Sequence, residues 1–282
     1  MKNINNNFLV DTQWLSDHLQ DDNIAIVDCQ WDEIAYLKAH IPNAIMRPGH
    51  PYLKTEQNGN LGKNMLSSEE FSRMMTESGI DSDTEVICYD QLDNHLATRL
   101  WWLLKYYGHK KVRLLNGGWQ AWVTSGLPVS CTATEVNAAD RPYCVHENPV
   151  MNITMEKLLE NYDNRDIQIL DVRRESEYRD TETRNNKRGG HIPGAIHLEW
   201  KQLLTQSKQW DGVNFFRLEK EMQALLDQNG VGKDKTTVVY CQAGVRASFT
   251  FFCLKMLGYP EVKLYDGSMG EWANANQTPL AT

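Results

Sequence analysis

Cys241 stands where a β-branched run ends and a helical stretch begins. Thr236-Thr237-Val238-Val239-Tyr240 leads into Cys241-Gln242-Ala243-Gly244-Val245-Arg246-Ala247-Ser248, and an apolar, helix-like stretch follows. A thiol at such a junction lies at the floor of a main-chain loop and beside a helix N-terminus, and both features stabilise a thiolate. The chemistry this suggests is nucleophilic: a cysteine that carries a labile sulfur atom covalently. A persulfide holds its charge on the outer sulfur and needs converging donors with little competing water. The N–H groups of Gln242, Ala243, Gly244, Val245 and Arg246, on to Ala247, can turn inward as an anion-binding nest. Gly244 supplies a residue that tolerates positive φ, and a helix expected from near Ala247 adds its positive end. Free cysteines are more often small buried hydrophobes; a polar, Gly-containing loop behind a strand argues against that here. Arg246 brings a permanently charged fork that can hold an anionic donor, against the plainer reading of a surface arginine. Gln242 offers an amide, either at the rim of the site or to solvent.

The elements that must position this loop occur twice. Ile24-Ala25-Ile26-Val27-Asp28 is a short strand ending in Asp, and Ile167-Gln168-Ile169-Leu170-Asp171 repeats it. His40-Ile41-Pro42-Asn43-Ala44-Ile45 is matched by His191-Ile192-Pro193-Gly194-Ala195-Ile196. Helical stretches then close at Gly79 and Gly230, strands end at Tyr89 and Tyr240, and further helices close at Gly108 and Gly258. Each half finishes with a short strand, a Gly-containing turn (Asn116-Gly117-Gly118-Trp119 or Asp266-Gly267-Ser268-Met269) and a helix carrying Trp122 or Trp272. Repeated motifs in one order imply an internal duplication. Strands alternating with helices imply, in each half, a mostly parallel sheet covered on both faces. The polar, Pro-punctuated stretch from Leu127 to Pro149 reads as a linker lying across a domain surface. The halves differ at one place: after the strand that ends in Tyr89 stands Asp90, where the second half has Cys241, and the first loop is one residue longer. The nucleophile occurs once.

Composition narrows the class. A chain of 282 residues can bury two cores of ordinary size, and its net charge of −8 argues against a general nucleic-acid binder. No stretch is apolar enough to span a membrane, and residues 1–7 lack the apolar core of a secretory leader. The six cysteines form no Cys-x-x-Cys pair, so neither a zinc site nor a dithiol motif is indicated, and free thiols in a reducing cytoplasm are expected. No histidine spacing suggests a metal, and no phosphate-loop or dinucleotide motif appears, so no metal or organic cofactor is expected. A duplicated chain needs no second copy, so a monomer is expected. Arg173, Arg174, Arg179, Arg184, Lys187 and Arg188 crowd the insertion before Gly189-Gly190-His191. They form either a basic lobe that draws in small anions or a solvated loop balanced by Glu175, Glu177, Asp180 and Glu182.

Together the paired strand-end aspartates, the paired His-Ile-Pro-x-Ala motifs, the Cys241 loop and the Gly-containing turn before each last helix resemble the tandem two-domain rhodanese-type sulfurtransferases, over nearly the whole chain. The resemblance implies an α/β protein of two tandem rhodanese-like domains: 1–127, non-catalytic with Asp90 at the cysteine position; a linker, 128–149; and 150–282, catalytic. It implies that Cys241 takes a sulfane sulfur from a small anionic donor, becomes a persulfide, and passes the sulfur to cyanide or a thiol. It also suggests that Trp31, in an Asp-x-x-Trp spacing from Asp28, is a pocket wall; ordinary core is the competing reading. Asp171, His191, His40 and Pro42 are expected to fix strand-end and turn geometry. Phosphatases of related shape use Cys-x5-Arg, and the Cys241-x4-Arg246 spacing favours sulfur transfer.

Departures from the family bear on the donor. Many tandem members carry an arginine in the insertion where this chain has Ser176-Glu177-Tyr178. Mercaptopyruvate users tend to Cys-Gly-Ser-Gly-Val-Thr, against Gln242, Ala243 and Arg246 here. They place acid after the first His-Ile-Pro motif, where Met46-Arg47-Pro48-Gly49-His50 puts His50 instead. A cationic loop suits dianionic thiosulfate, with 3-mercaptopyruvate, or a persulfide relay serving a protein partner, as alternatives.

Overall fold

The computed structural model describes residues 5–47, 54–57 and 60–282. In chain order the elements are β1 (Leu9–Val10), α1 (Thr12–Asp17), β2 (Ile24–Asp28), α2 (Glu33–Lys38), β3 (Ile45–Met46), β4 (Lys54–Gln57), β5 (Asn60–Met65), α3 (Ser68–Glu77), β6 (Glu85–Tyr89), α4 (His95–Tyr106), β7 (Val112–Leu115) and α5 (Gly118–Thr124). Then come α6 (Met155–Leu159), β8 (Ile167–Asp171), α7 (Glu175–Tyr178), β9 (Ile196–His197), β10 (Leu204–Gln206), β11 (Asn214–Phe216), α8 (Glu219–Gln228), β12 (Thr236–Tyr240), α9 (Val245–Met256), β13 (Val262–Leu264) and α10 (Ser268–Trp272).

The chain divides into two compact units, Met1–Asn148 with Thr205–Phe216, and Pro149–Leu204 with Arg217–Thr282. The first holds a parallel sheet in the order β1-β7-β6-β2-β3, the second one in the order β13-β12-β8-β9. The orders are the same apart from β1, whose counterpart is a single parallel bridge from Asn152 to Leu264. Strands buried on both faces are short apolar runs, as such sheets require, and the strand ends expected at Asp28, Asp171, Tyr89 and Tyr240 are where the strands stop. The helices α4 and α9 follow the central strands and are buried around most of their circumference, which fits their lack of a polar face.

The duplication extends to individual bonds. His40 Nδ1 pairs with Tyr36 O at 2.7 Å and its ring stacks on Tyr36 at 3.9 Å; His191 pairs with Tyr178 O at 3.0 Å and stacks on Tyr178 at 3.7 Å. Ile41 N donates to Tyr89 Oη and Ile192 N to Tyr240 Oη, each at 3.2 Å. Trp122 Nε1 donates to Pro128 O at 2.8 Å, and Trp272 Nε1 to Pro279 O at 2.7 Å. The His-Ile-Pro motif thus fastens the strand-end tyrosine to the tail that folds back after the last helix.

Two segments beyond residue 127 pack with the first unit. The stretch taken for a linker, 128–149, packs with the first unit as far as Asn148: Ser130 bridges to His40, and Ala139 N donates to Thr76 O at 2.8 Å. Thr205–Phe216, which the repeat assigns to the second half, also belongs with the first unit. There Asn214 Nδ2 donates to Asp93 Oδ1 at 2.9 Å and Phe216 N to Asn116 Oδ1 at 3.1 Å. Gly117, at φ 83°, leaves room for Phe215: a Cβ there would lie 2.6 Å from its ring.

Candidate active site

Cys241 follows β12, the strand paired on both sides by β8 and β13. Its chain then turns through Gly244 at φ 81° and enters α9 at Val245, two residues earlier than the sequence suggested. Only glycine takes that left-handed conformation without strain; the first half uses Asn94, at φ 65°, at the same cap. The loop is stitched to the turn before α10: Cys241 N donates to Ser268 Oγ at 3.1 Å, Met269 N to Cys241 O at 3.1 Å, and Gly270 N to Gln242 O at 2.8 Å. Cys241 is buried, with 1% of its surface exposed. Among the described residues, the main-chain N–H groups of Gln242 to Ala247 donate no hydrogen bond to the protein.

The first unit reveals what such a loop does with an anion. Asp90, 1% exposed, occupies the cysteine position. Its Oδ1 accepts from Leu92 N at 2.6 Å and Asn94 N at 2.8 Å, and its Oδ2 from Leu96 N at 2.7 Å and Ala97 N at 2.8 Å. Four main-chain donors converge on one carboxylate. The frames agree beyond this contact: Thr98 N bonds Asn94 O at 2.9 Å as Ser248 N bonds Gly244 O at 3.0 Å, and Trp119 N bonds Asp90 O at 3.0 Å as Met269 N bonds Cys241 O. Leu96 and Ala97 correspond through this frame to Arg246 and Ala247.

The side chains around the loop are arranged differently from the sequence reading. Arg246 Nη1 donates to Glu177 Oε2 at 2.6 Å and Nη2 to Glu177 Oε1 at 2.9 Å, so the fork expected to receive a donor anion is engaged bidentately by α7. Burial pushes the Glu177 carboxyl up, but Arg246, helped by Arg174 and Arg173, outweighs it and holds the pKa at about 2. Burial opposes the Arg246 charge; the hydrogen bonds it donates to Glu177, the Cys241 sulfur, the Glu177 charge and Asp171 favour it, and the net shift is upward. Removing one partner of a buried pair costs about 3–5 kcal/mol. One charge-assisted bond to a ligand returns about 1.5–3 kcal/mol, so Arg246 stays with Glu177. Gln242 is not solvated either: it exchanges amide bonds with Asn186, at 3.1 and 2.9 Å, and Asn274 Nδ2 donates to the same Asn186 oxygen at 3.0 Å.

The basic insertion is not an open anion-collecting lobe. Arg173 is buried and grips Asp171, Nη2 to Oδ2 at 2.5 Å, while Tyr240 Oη donates to that oxygen at 2.7 Å. Arg174 pairs with Glu177 and Glu182, Arg179 with Glu175, and Arg184 reaches Glu182 at 4.0 Å. Arg188 donates to the carbonyls of Trp272, Ala273, Ala275 and Thr278. In the first unit Gln30 stands in for Arg173 beside Asp28, and the outcome changes: burial lifts Asp28 to about pKa 6, against the hydrogen bonds of Gln30 and Tyr89.

Of the residues singled out in sequence, Cys241, Gln242, Ala243, Gly244, Val245 and Arg246 form one continuous loop. Trp31 belongs to the first unit; at 48% exposure it is not core, and with Tyr36, Ile45, Met46 and Met74 it lines a cavity of about 490 Å³ there. His50 lies outside the described residues, as do Pro48 and Gly49. Sequence reasoning gave Asn186 and Ser268 no role and read Glu177 only as a counter-charge within the insertion. The one available signal was an acid inside an arginine-rich insertion, and nothing in the spacing tied it to Arg246. Among the described residues no group of His, Cys, Asp and Glu is placed to hold a metal, and no helix is long and apolar enough to cross a membrane.

The Rhodanese-like domain family matches the chain twice, at residues 11–125 and 154–275. Among curated proteins, the chain is 34% identical to the sulfur carrier protein TtuD of Thermus thermophilus, over 97% of this chain and 96% of that one. It is 31% identical to a thiosulfate sulfurtransferase of Corynebacterium glutamicum, covering 97% and 90%. It is 29% identical to the 3-mercaptopyruvate sulfurtransferase of Escherichia coli K12, covering 97% of both.

Proposed function

The chain belongs to the rhodanese-like family of sulfurtransferases, and from that premise we propose that it moves a sulfane sulfur from thiosulfate to a thiophilic acceptor through a persulfide on Cys241. The observation that carries this is the pair of loops. A carboxylate in one draws four main-chain N–H groups onto itself, while a thiol stands at the matching position of the other, above donors that bond nothing in the protein. In this reading the first domain is silent because its cradle already holds an anion of its own.

The Cys241 thiolate attacks the outer sulfur of thiosulfate; the S–S bond of the donor breaks and its electron pair leaves with sulfite. The enzyme is left as Cys241–S–S⁻, its outer sulfur facing the amides that stabilise negative charge. Cyanide, or an acceptor thiolate, then attacks that outer sulfur and releases the Cys241 thiolate. Amides that favour both thiolate and persulfide keep those two states close in free energy, so neither half-reaction is strongly uphill.

The similarity to a sulfur carrier supports a second reading on the same cysteine, in which the persulfide is filled by one protein and emptied by another. The similarity to a mercaptopyruvate enzyme keeps that donor as the alternative small substrate. Mass spectrometry after thiosulfate treatment tests the nucleophile: one added sulfur mapped to Cys241, and absent from Cys88 and Cys253, is expected. Cys241→Ser should abolish cyanide-dependent thiocyanate formation with folding intact; activity retained in that variant overturns the mechanism. Steady-state comparison of thiosulfate with 3-mercaptopyruvate decides the donor, and poor turnover of both despite loading by a desulfurase favours the relay.

A further inference from the structure

We infer that Glu177 sets the donor specificity of the sulfur-transfer loop: by taking both arms of the Arg246 fork it withdraws that cation from donor binding and leaves the donor anion to the loop amides. The inference rests on the sulfur-transfer reading above and assigns its charge control to a residue of the insertion.

Arg246 is the second residue of α9 and part of the cysteine loop, and its charge is felt by the Cys241 sulfur. Its side chain is 16% exposed, and that of Glu177 is wholly enclosed. The charged groups around the pair come from each neighbouring segment. Arg174 donates to Glu177 Oε2 at 3.3 Å and is itself shared with Glu182. Arg173 acts on Glu177 at longer range, and Asp171 acts on Arg246. The guanidinium therefore lies within electrostatic reach of the reacting sulfur, yet both its terminal nitrogens are engaged by one carboxylate that also matches its charge. A loop neutralised in this way holds thiosulfate less tightly than a free cation would, and the loss is smaller for a monoanion such as 3-mercaptopyruvate. Glutamine at 177 has the same shape and lacks the charge, so it converts the neutral pair into a net cation beside the loop.

The test compares Glu177→Gln with the double variant Glu177→Gln/Arg246→Gln, using both donors at low and high salt. In E177Q the KM for thiosulfate should fall about 3- to 10-fold at low ionic strength, the fall for 3-mercaptopyruvate should be smaller, and both gains should shrink near 0.5 M salt, as expected for an uncompensated charge close to an anion. At fixed pH and low salt, alkylation of Cys241 by iodoacetamide should also be faster in E177Q, which a purely structural role for Glu177 would not produce. Adding R246Q should remove the thiosulfate gain. The inference is overturned if KM is unchanged or raised in E177Q, or if the gain survives in the double variant. If E177Q does not fold, Glu177→Asp keeps the charge on an arm too short to engage both nitrogens; a smaller fall in KM is expected, and none overturns the inference. Absence of a sulfur adduct on wild-type Cys241 sinks the sulfur-transfer reading itself; an adduct with an unaltered donor ratio in E177Q sinks only this one.

Discussion

At the scale of single residues, the molecule turns on what fills the loop after each central strand. Asp90 shows that the fold aims main-chain donors at that point, and aims enough of them to satisfy a full carboxylate. Asp90→Asn presents an NH2 group to donors that need an acceptor, so two N–H groups lose their partner in a buried site. A loss of about 2–4 kcal/mol is expected, read as a lower denaturation midpoint, and a change within experimental error counts against the cradle. Gly244 carries the corresponding constraint in the second loop. Gly244→Ala puts a Cβ on a residue at φ 81°, a strain of about 1–2 kcal/mol. The same change re-aims the amides around Cys241, so sulfur transfer should fall far more than stability does. Equal losses in both would mean that the loop amides do not serve the reaction. The strand end, the thiol that follows it and the glycine turn were legible in sequence because a strand, a thiol and a glycine in that order allow few local conformations. The employment of Arg246 was not legible, since its partner lies 69 residues away along the chain.

At the scale of elements, the same strand end is finished differently in the two sheets, and pH reads the difference. Asp171, at the end of β8, faces Arg173; Asp28, at the end of β2, faces Gln30 and is lifted to about pKa 6 by burial. The folded state therefore keeps a proton on Asp28 that the unfolded chain has released from about pH 4 upward, so stability falls as pH rises from about 4 to about 6 and the loss is complete above that. The full shift corresponds to at most about 3 kcal/mol. Asp28→Asn should flatten this slope, measured as denaturant midpoints at intervals from pH 4.5 to 7.5; a slope that persists in D28N assigns it to other groups. Gln30→Arg, which copies the second sheet, should likewise raise stability at neutral pH. These strands follow from apolar runs bounded by turns. The helix α7, only four residues long, and the tie between Asn186 and Gln242 had no periodic pattern to announce them.

At the scale of the whole molecule, sequence order and packing part company. Thr205–Phe216 lies between β9 and α8 of the second repeat yet packs with the first unit, where it pairs with Asp93 and Asn116 and lays Phe215 against Gly117. A chain ending at Asn148 should therefore melt several degrees lower when alone than when a synthetic peptide spanning 204–217 is added in excess, by the mass action of binding to the folded form. No effect of the peptide would show that those contacts add nothing to the first unit.

Local chemistry, read along the chain, was enough for the duplication, the parallel sheets, the lone thiol of the second loop and its glycine turn. Each of these depends on neighbours within a few residues, where φ/ψ preference and apolar periodicity act directly. Only the folded structure decided that Arg246 belongs to Glu177, that Arg173 is enclosed with Asp171, and that residues 205–216 pack with the opposite half. Those outcomes are settled by burial. A charge withdrawn from water must find its opposite wherever the packed chain brings one, and separation in sequence carries no record of that choice.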